Sequence, residues 1–138
     1  MRRILAFSGF LAALVTGSLL VAPAANAATG PSSTRIDSVD RRQQGDRVLV
    51  NLSYNCPAGA RIQLVVTVTG ANGDRIAQGT RQKRVDCTGD WAATEMRIDR
   101  DLAGAIFIVG LATARTVRTV CDDTSCETIP FDETIRIS

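Results

Sequence analysis

The sequence has no histidine, one tryptophan, one tyrosine and four phenylalanines in 138 residues. Lys83 is the only lysine. Without histidine, Ser–His and Cys–His nucleophile pairs are excluded, and a zinc site loses its commonest nitrogen ligand. There is no Walker loop and no dinucleotide fingerprint. Lys83 stands outside a Ser-x-x-Lys context and makes a poor catalytic base. Carboxylates remain: Asp99 and Asp101 form one group, and Asp122, Asp123 and Glu127 another. A paired-carboxylate hydrolase needs two of them facing each other across a cleft, and the chain has no long insertion to build one. Calcium at Asp122 and Asp123 would need a longer loop than the chain supplies there. A non-enzyme without cofactor or metal is therefore expected.

Long apolar runs are also scarce after the first residues. Met1-Arg2-Arg3 is a short positive region, Ile4 to Ala22 is apolar, Pro23 breaks any helix, and Ala25-Asn26-Ala27 has the small-x-small form of a signal peptidase site. Residues 1–27 are expected to be a signal peptide, and the protein to be secreted. No second apolar span follows, so no membrane association is expected after cleavage. The full chain carries a formal charge of +2. Arg2 and Arg3 leave with the signal and no acid does, so 14 bases face 14 acids in the mature chain. A neutral chain of this kind gives no support to a nucleic-acid partner.

What remains after cleavage, 138 residues less 27, suffices for one domain. Residues 28–33 are small and polar and are expected to be a flexible leader, followed by a single domain over 34–138. A core with so few aromatics needs covalent help. Four cysteines in an exported chain imply two disulfides. Spacing favours Cys56–Cys87 with Cys121–Cys126, the second closing a tight loop of Asp122-Asp123-Thr124-Ser125. The alternatives, tying Cys56 or Cys87 to the late loop, remain open at this level.

Period-two patterning runs through the chain. Thr34 to Val39 alternates. Val48, Val50, Leu52, Tyr54 and Cys56 share one parity, with Asn51 and Ser53 on the other, and Ile62, Leu64, Val66 and Val68 repeat it. Gly70-Ala71-Asn72-Gly73-Asp74 contains a hairpin signal. Ile76–Gly79 and Arg81–Val85 are expected to pair back. Like charges from Thr80 to Arg84 suit an edge strand. Trp91–Ile98 is a further strand, with Trp91 a core or rim residue beside a bridge. Ala103–Thr119 is expected to be one long central strand, since Phe107, Val109 and Leu111 lie on one parity and Ile106 and Ile108 on the other. Gly110 marks a bulge or a close crossing. Ile129, Phe131, Ile135 and Ile137 carry the last strand, which Pro130 bends or places at an edge. Seven or eight short antiparallel strands of this spacing predict an immunoglobulin-like β-sandwich with two disulfides.

Ser53-Tyr54-Asn55-Cys56-Pro57, the Val-Thr-rich strand with its Gly-Asn-Gly style turn, Cys87-Thr88-Gly89 and Trp91 resemble a family of small secreted actinobacterial immunoglobulin-like proteins of unknown function. That resemblance implies location, fold and a pairing of Cys56 with Cys87, and no activity. Cys121 and Cys126 with Thr124 between them are similar to the late bridge of neocarzinostatin-type apoproteins. That likeness implies a chromophore carrier, although the first bridge is longer here. Three functions follow as expectations. The first is a monomeric secreted binding module whose partner is a protein, the cell wall or a small molecule, with Asp122, Asp123, Thr124 and Ser125 as the candidate binding loop. The second is a small-molecule carrier. The third is an extracellular protease inhibitor, for which the loop lacks an exposed Lys, Arg, Met or Leu.

Overall fold

The computed structural model describes residues 32–138. The expected signal peptide, and all of the expected leader before Ser32, lie outside the described residues. The described chain is all-β: β1 (Ser33–Arg42), β2 (Arg47–Asn55), β3 (Arg61–Asn72), β4 (Arg75–Asp86), β5 (Ala92–Asp99), β6 (Gly110–Cys121) and β7 (Cys126–Ile137), with one short 3₁₀ turn at Gln43–Gly45. Hydrogen bonding joins the strands in the order β4-β3-β6-β7-β1-β2-β5.

The alternating pattern dictates which face turns inward. Val48, Val50, Leu52 and Tyr54 on β2, and Ile62, Leu64, Val66 and Val68 on β3, are all buried. Each aliphatic side chain so buried stabilises the fold by about 1.5–3 kcal/mol relative to exposure. Met96 and Ile98 of β5 and Phe107 complete the interior. The β3–β4 hairpin closes at Gly73-Asp74, since Asn72 pairs with Arg75. Gly73 takes the positive φ of +63° there, a conformation that glycine adopts without steric cost. β4 is continuous across Gly79 and Thr80, where two separate segments were expected.

Both end strands of the sheet, β4 and β5, approach each other. The Lys83 ammonium on β4 donates to Thr94 Oγ1 at 2.6 Å and to the Glu95 carbonyl at 3.1 Å on β5. Gly79 permits this approach, because a Cβ there would stand 2.2 Å from the Asp99 carbonyl oxygen. β4 is thus an edge, as the charge pattern implies, and the sole lysine bridges it to the opposite edge.

Two expectations are corrected. The sheet is mixed, not purely antiparallel: β1 and β7 pair in parallel at Val39 and Ile137. The Ser138 N–H donates to the Val39 carbonyl at 3.0 Å, and the Arg41 N–H to the Ser138 carbonyl at 2.8 Å. β1 pairs with β2 first, slips register between Ile36 and Ser38, and meets β7 only near the chain's end. The second correction concerns Ala103–Thr119. β6 begins at Gly110, and residues 100–109 form a loop across one end of the molecule. Its N–H groups bond to other loops and to the β4 edge: Phe107 to the Gly45 carbonyl at 2.8 Å and Ala105 to the Ile76 carbonyl at 2.9 Å. These bonds turn Ala105 and Phe107 into the core. β6 itself is central, between β3 and β7, as expected.

Candidate functional site

Cys56 pairs with Cys87 and Cys121 with Cys126, which resolves the connectivity in favour of the local pairing. Both bridges stand at one end of the molecule. The expected binding loop is a self-satisfied turn. Asp122 Oδ1 accepts from the backbone N–H of Thr124 at 2.7 Å, from that of Ser125 at 2.7 Å and from the Thr124 hydroxyl at 2.9 Å. These donors hold the Asp122 carboxyl below the usual carboxylate range. Asp123, Thr124 and Ser125 are exposed. The loop is therefore pre-ordered, but the carboxylate oxygen that orders it is occupied.

Beside this loop lies a shallow groove of 570 Å³ on the outer face of the sheet. Strand register explains its composition. Asp86, Arg61, Cys121 and Cys126 form one row across β4, β3, β6 and β7, and Arg84, Gln63, Thr119 and Thr128 form the next row of that face. Arg84 Nε donates to Gln63 Oε1 at 3.3 Å, and the Thr119 and Thr128 hydroxyls lie 3.0 Å apart. Trp91, expected in the core or at its rim, is 57 % exposed. The Arg35 guanidinium sits 5.9 Å from its ring centroid, within cation–π range.

The opposite end carries most of the exposed large apolar residues. Ile76, Leu102, Ile106, Ile108, Val109 and Leu111 are all exposed there, Leu102 by 93 % and Leu111 by 73 %. These residues belong to the 100–109 loop, the start of β6 and the start of β4. The loop is braced from beneath. Arg100 donates to the carbonyls of Asp101, Leu102 and Gly104 at 3.2–3.4 Å, and its Nε is held by Asp46 at 2.7 Å. Asn72 donates to the Ile106 carbonyl at 3.2 Å. The sequence did signal Ile106, Ile108, Val109 and Leu111, but its pattern assigned them to a central strand, with Leu102 just before it and Ile76 in the returning hairpin strand.

The carboxylates do not converge on a metal: among the described residues no group of three or more His, Cys, Asp or Glu is placed to hold one. Asp99 pairs with Arg47, and Asp101 is exposed. The acid groups that do come near each other are Asp37 and Glu133. Asp37 accepts from Ser53 and Arg35 and is held below the usual range, chiefly by the Ser53 hydroxyl. Glu133 Oε1 accepts the Ile36 N–H at 3.0 Å. Burial pushes the Glu133 carboxyl up, and the nearby Asp37 charge adds to the rise. Comparison with protein-family models, with curated proteins and with solved structures found no match for this chain.

Proposed function

We propose that the chain is a secreted, non-enzymatic binding module built as an immunoglobulin-like β-sandwich, and that it recognises its partner through the apolar 102–111 end. The sandwich reading is supported by the pairing. Among the described residues the ladder pairing between β1-β2-β5 and β4-β3-β6-β7 is the short parallel contact at Val39 and Ile137, and the inner faces of both groups carry the core. Export is supported by the two disulfides.

The observation that carries the functional reading is the exposure of six large aliphatic residues on one braced end. Folding alone gives no reason to hold Leu102 and Leu111 in water, and large apolar residues left exposed together at one end of a fold mark an interaction surface. Bracing of the loop by Arg100 and Asn72 lowers the entropy lost on binding. The stapled 122–125 loop is small and polar, and Asp122 Oδ1 is engaged within it. A carrier with its ligand between the sheets has less support, since Leu52, Leu64, Val66, Met96 and Phe107 already fill that space.

The test is sedimentation with cell envelopes of the producing organism. Leu102→Ser combined with Ile106→Ser is expected to lower the bound fraction at least fivefold. Asp122→Ala combined with Asp123→Ala is expected to leave it unchanged. The reverse pattern would move recognition to the stapled loop, and equal binding by all three proteins would sink the reading.

A further inference from the structure

The groove beside the Cys121–Cys126 loop has a chemistry of its own, independent of the apolar end. Arg61 and Arg84 line it from adjacent strands. They are diagonal neighbours on one face, since Gln63 is the residue opposite Arg84. Their Cα atoms are therefore about 7–8 Å apart, close enough for two flexible guanidinium groups to converge on one anion. Neither makes an ion pair among the described residues. Arg84 is oriented by its Nε bond to Gln63, which leaves its terminal nitrogens free. A paired guanidinium site of this kind matches the planar fork of a carboxylate.

The remaining lining restricts the ligand further. The Cys121–Cys126 bridge forms an apolar wall. Thr119 and Gln63 add polar groups to the floor. Asp86 and Asp122 also line the groove. The Thr124 and Ser125 donors hold Asp122 in its charged form, so Asp122 and Asp86 both oppose an incoming anion, and Arg61 and Arg84 must outweigh them. A volume of 570 Å³ is within the range of small-molecule sites, while the open, strand-built floor suits a molecule of modest size.

We propose that this groove binds a small carboxylate-bearing molecule, its anionic head on Arg61 and Arg84 and its apolar part against the Cys121–Cys126 bridge. The proposal goes beyond the loop-end reading and stands or falls without it.

The experiment is a two-dimensional amide NMR titration of the oxidised, secreted chain. The probes are hexanoate, its neutral counterpart hexanamide, and inorganic phosphate. Hexanoate is expected to give saturating shifts at the amides of Arg61, Gln63, Arg84 and Thr119, and hexanamide none. Arg61→Gln and Arg84→Gln are each expected to weaken hexanoate at least tenfold while keeping the rest of the spectrum. Asp86→Asn is expected to tighten it severalfold. Equal shifts from hexanoate and hexanamide, shifts centred elsewhere, or unchanged affinity in both arginine variants would overturn the proposal. Phosphate binding more tightly than hexanoate would also overturn it, by assigning the groove to tetrahedral oxyanions.

Discussion

Single residues carry costs that the alternating pattern conceals. Thr116 occupies an inward position of β6 and is 1 % exposed, yet its hydroxyl has no hydrogen-bond partner. A buried hydroxyl left unpaired costs about 1–3 kcal/mol. Thr116→Val keeps the β-branched shape and removes that group. The variant is expected to be about 1 kcal/mol more stable by urea unfolding, and a destabilised variant would show that the hydroxyl is satisfied in solution. Gly45 is constrained in the other direction. Its φ is +99°, and a Cβ would stand 2.2 Å from the Phe107 carbonyl oxygen. The turn between β1 and β2 must therefore be a glycine for the 100–109 loop to dock. That requirement is invisible in the local sequence, where Arg41 to Asp46 has the appearance of an ordinary polar turn.

At the scale of elements, the contact between β1 and β7 is the most specific feature. Main-chain pairing there is confined to the end of the strands, and the Glu133 side chain supplies an acceptor for the Ile36 N–H further along. The folded-state pKa of Glu133 is raised above its ordinary 4.5. Between the two values the folded state binds more protons than the unfolded one, so stability falls as pH rises through that window and the penalty is fully present above the folded pKa. Glu133→Gln retains an acceptor and cannot ionise. The urea midpoint of the parent, relative to this variant, is expected to rise as pH is lowered from 7 and to level off below 4.5. A difference that does not change with pH would refute the assignment. The neighbouring β6 shows the limit of pattern reading. Ile106, Phe107, Ile108, Val109 and Leu111 alternate no better than a loop with two inward anchors, and the Ala105 and Phe107 bonds to other loops decide the matter.

For the whole molecule, the two bridges act on different amounts of chain. Cys56 and Cys87 are separated by 31 positions, and Cys121 and Cys126 by 5. In the chain-entropy account the longer loop stabilises the fold by about 1.5 kcal/mol more. Cys56 and Cys87 are also buried, so truncating them removes packing as well. Cys56→Ala with Cys87→Ala is therefore expected to lower unfolding free energy by more than Cys121→Ala with Cys126→Ala. Denaturant titration of the two double variants checks the order, and an inverted order would show the small bridge to be the main staple. The short bridge has a different consequence for the molecule: it fixes the wall of the Arg61–Arg84 groove at the end away from the apolar loop.

The sequence by itself determined the all-β class, the inward parities of β2 and β3 and the edge character of β4, and it favoured the local cysteine pairing that the structure then selected over the alternatives. Each rests on local information: side chains two apart share a face, and cysteines five apart can close only a tight turn. Tertiary structure alone decided the parallel contact of Val39 with Ile137, the reach of Lys83 to β5, the exposure of Leu102 and Leu111, and the meeting of Arg61 and Arg84 beside a disulfide. Those depend on which strand lies next to which and in what register, and residues far apart in sequence carry no mark of it. Period-two alternation establishes that a side chain has a face. It does not establish whether that face is covered.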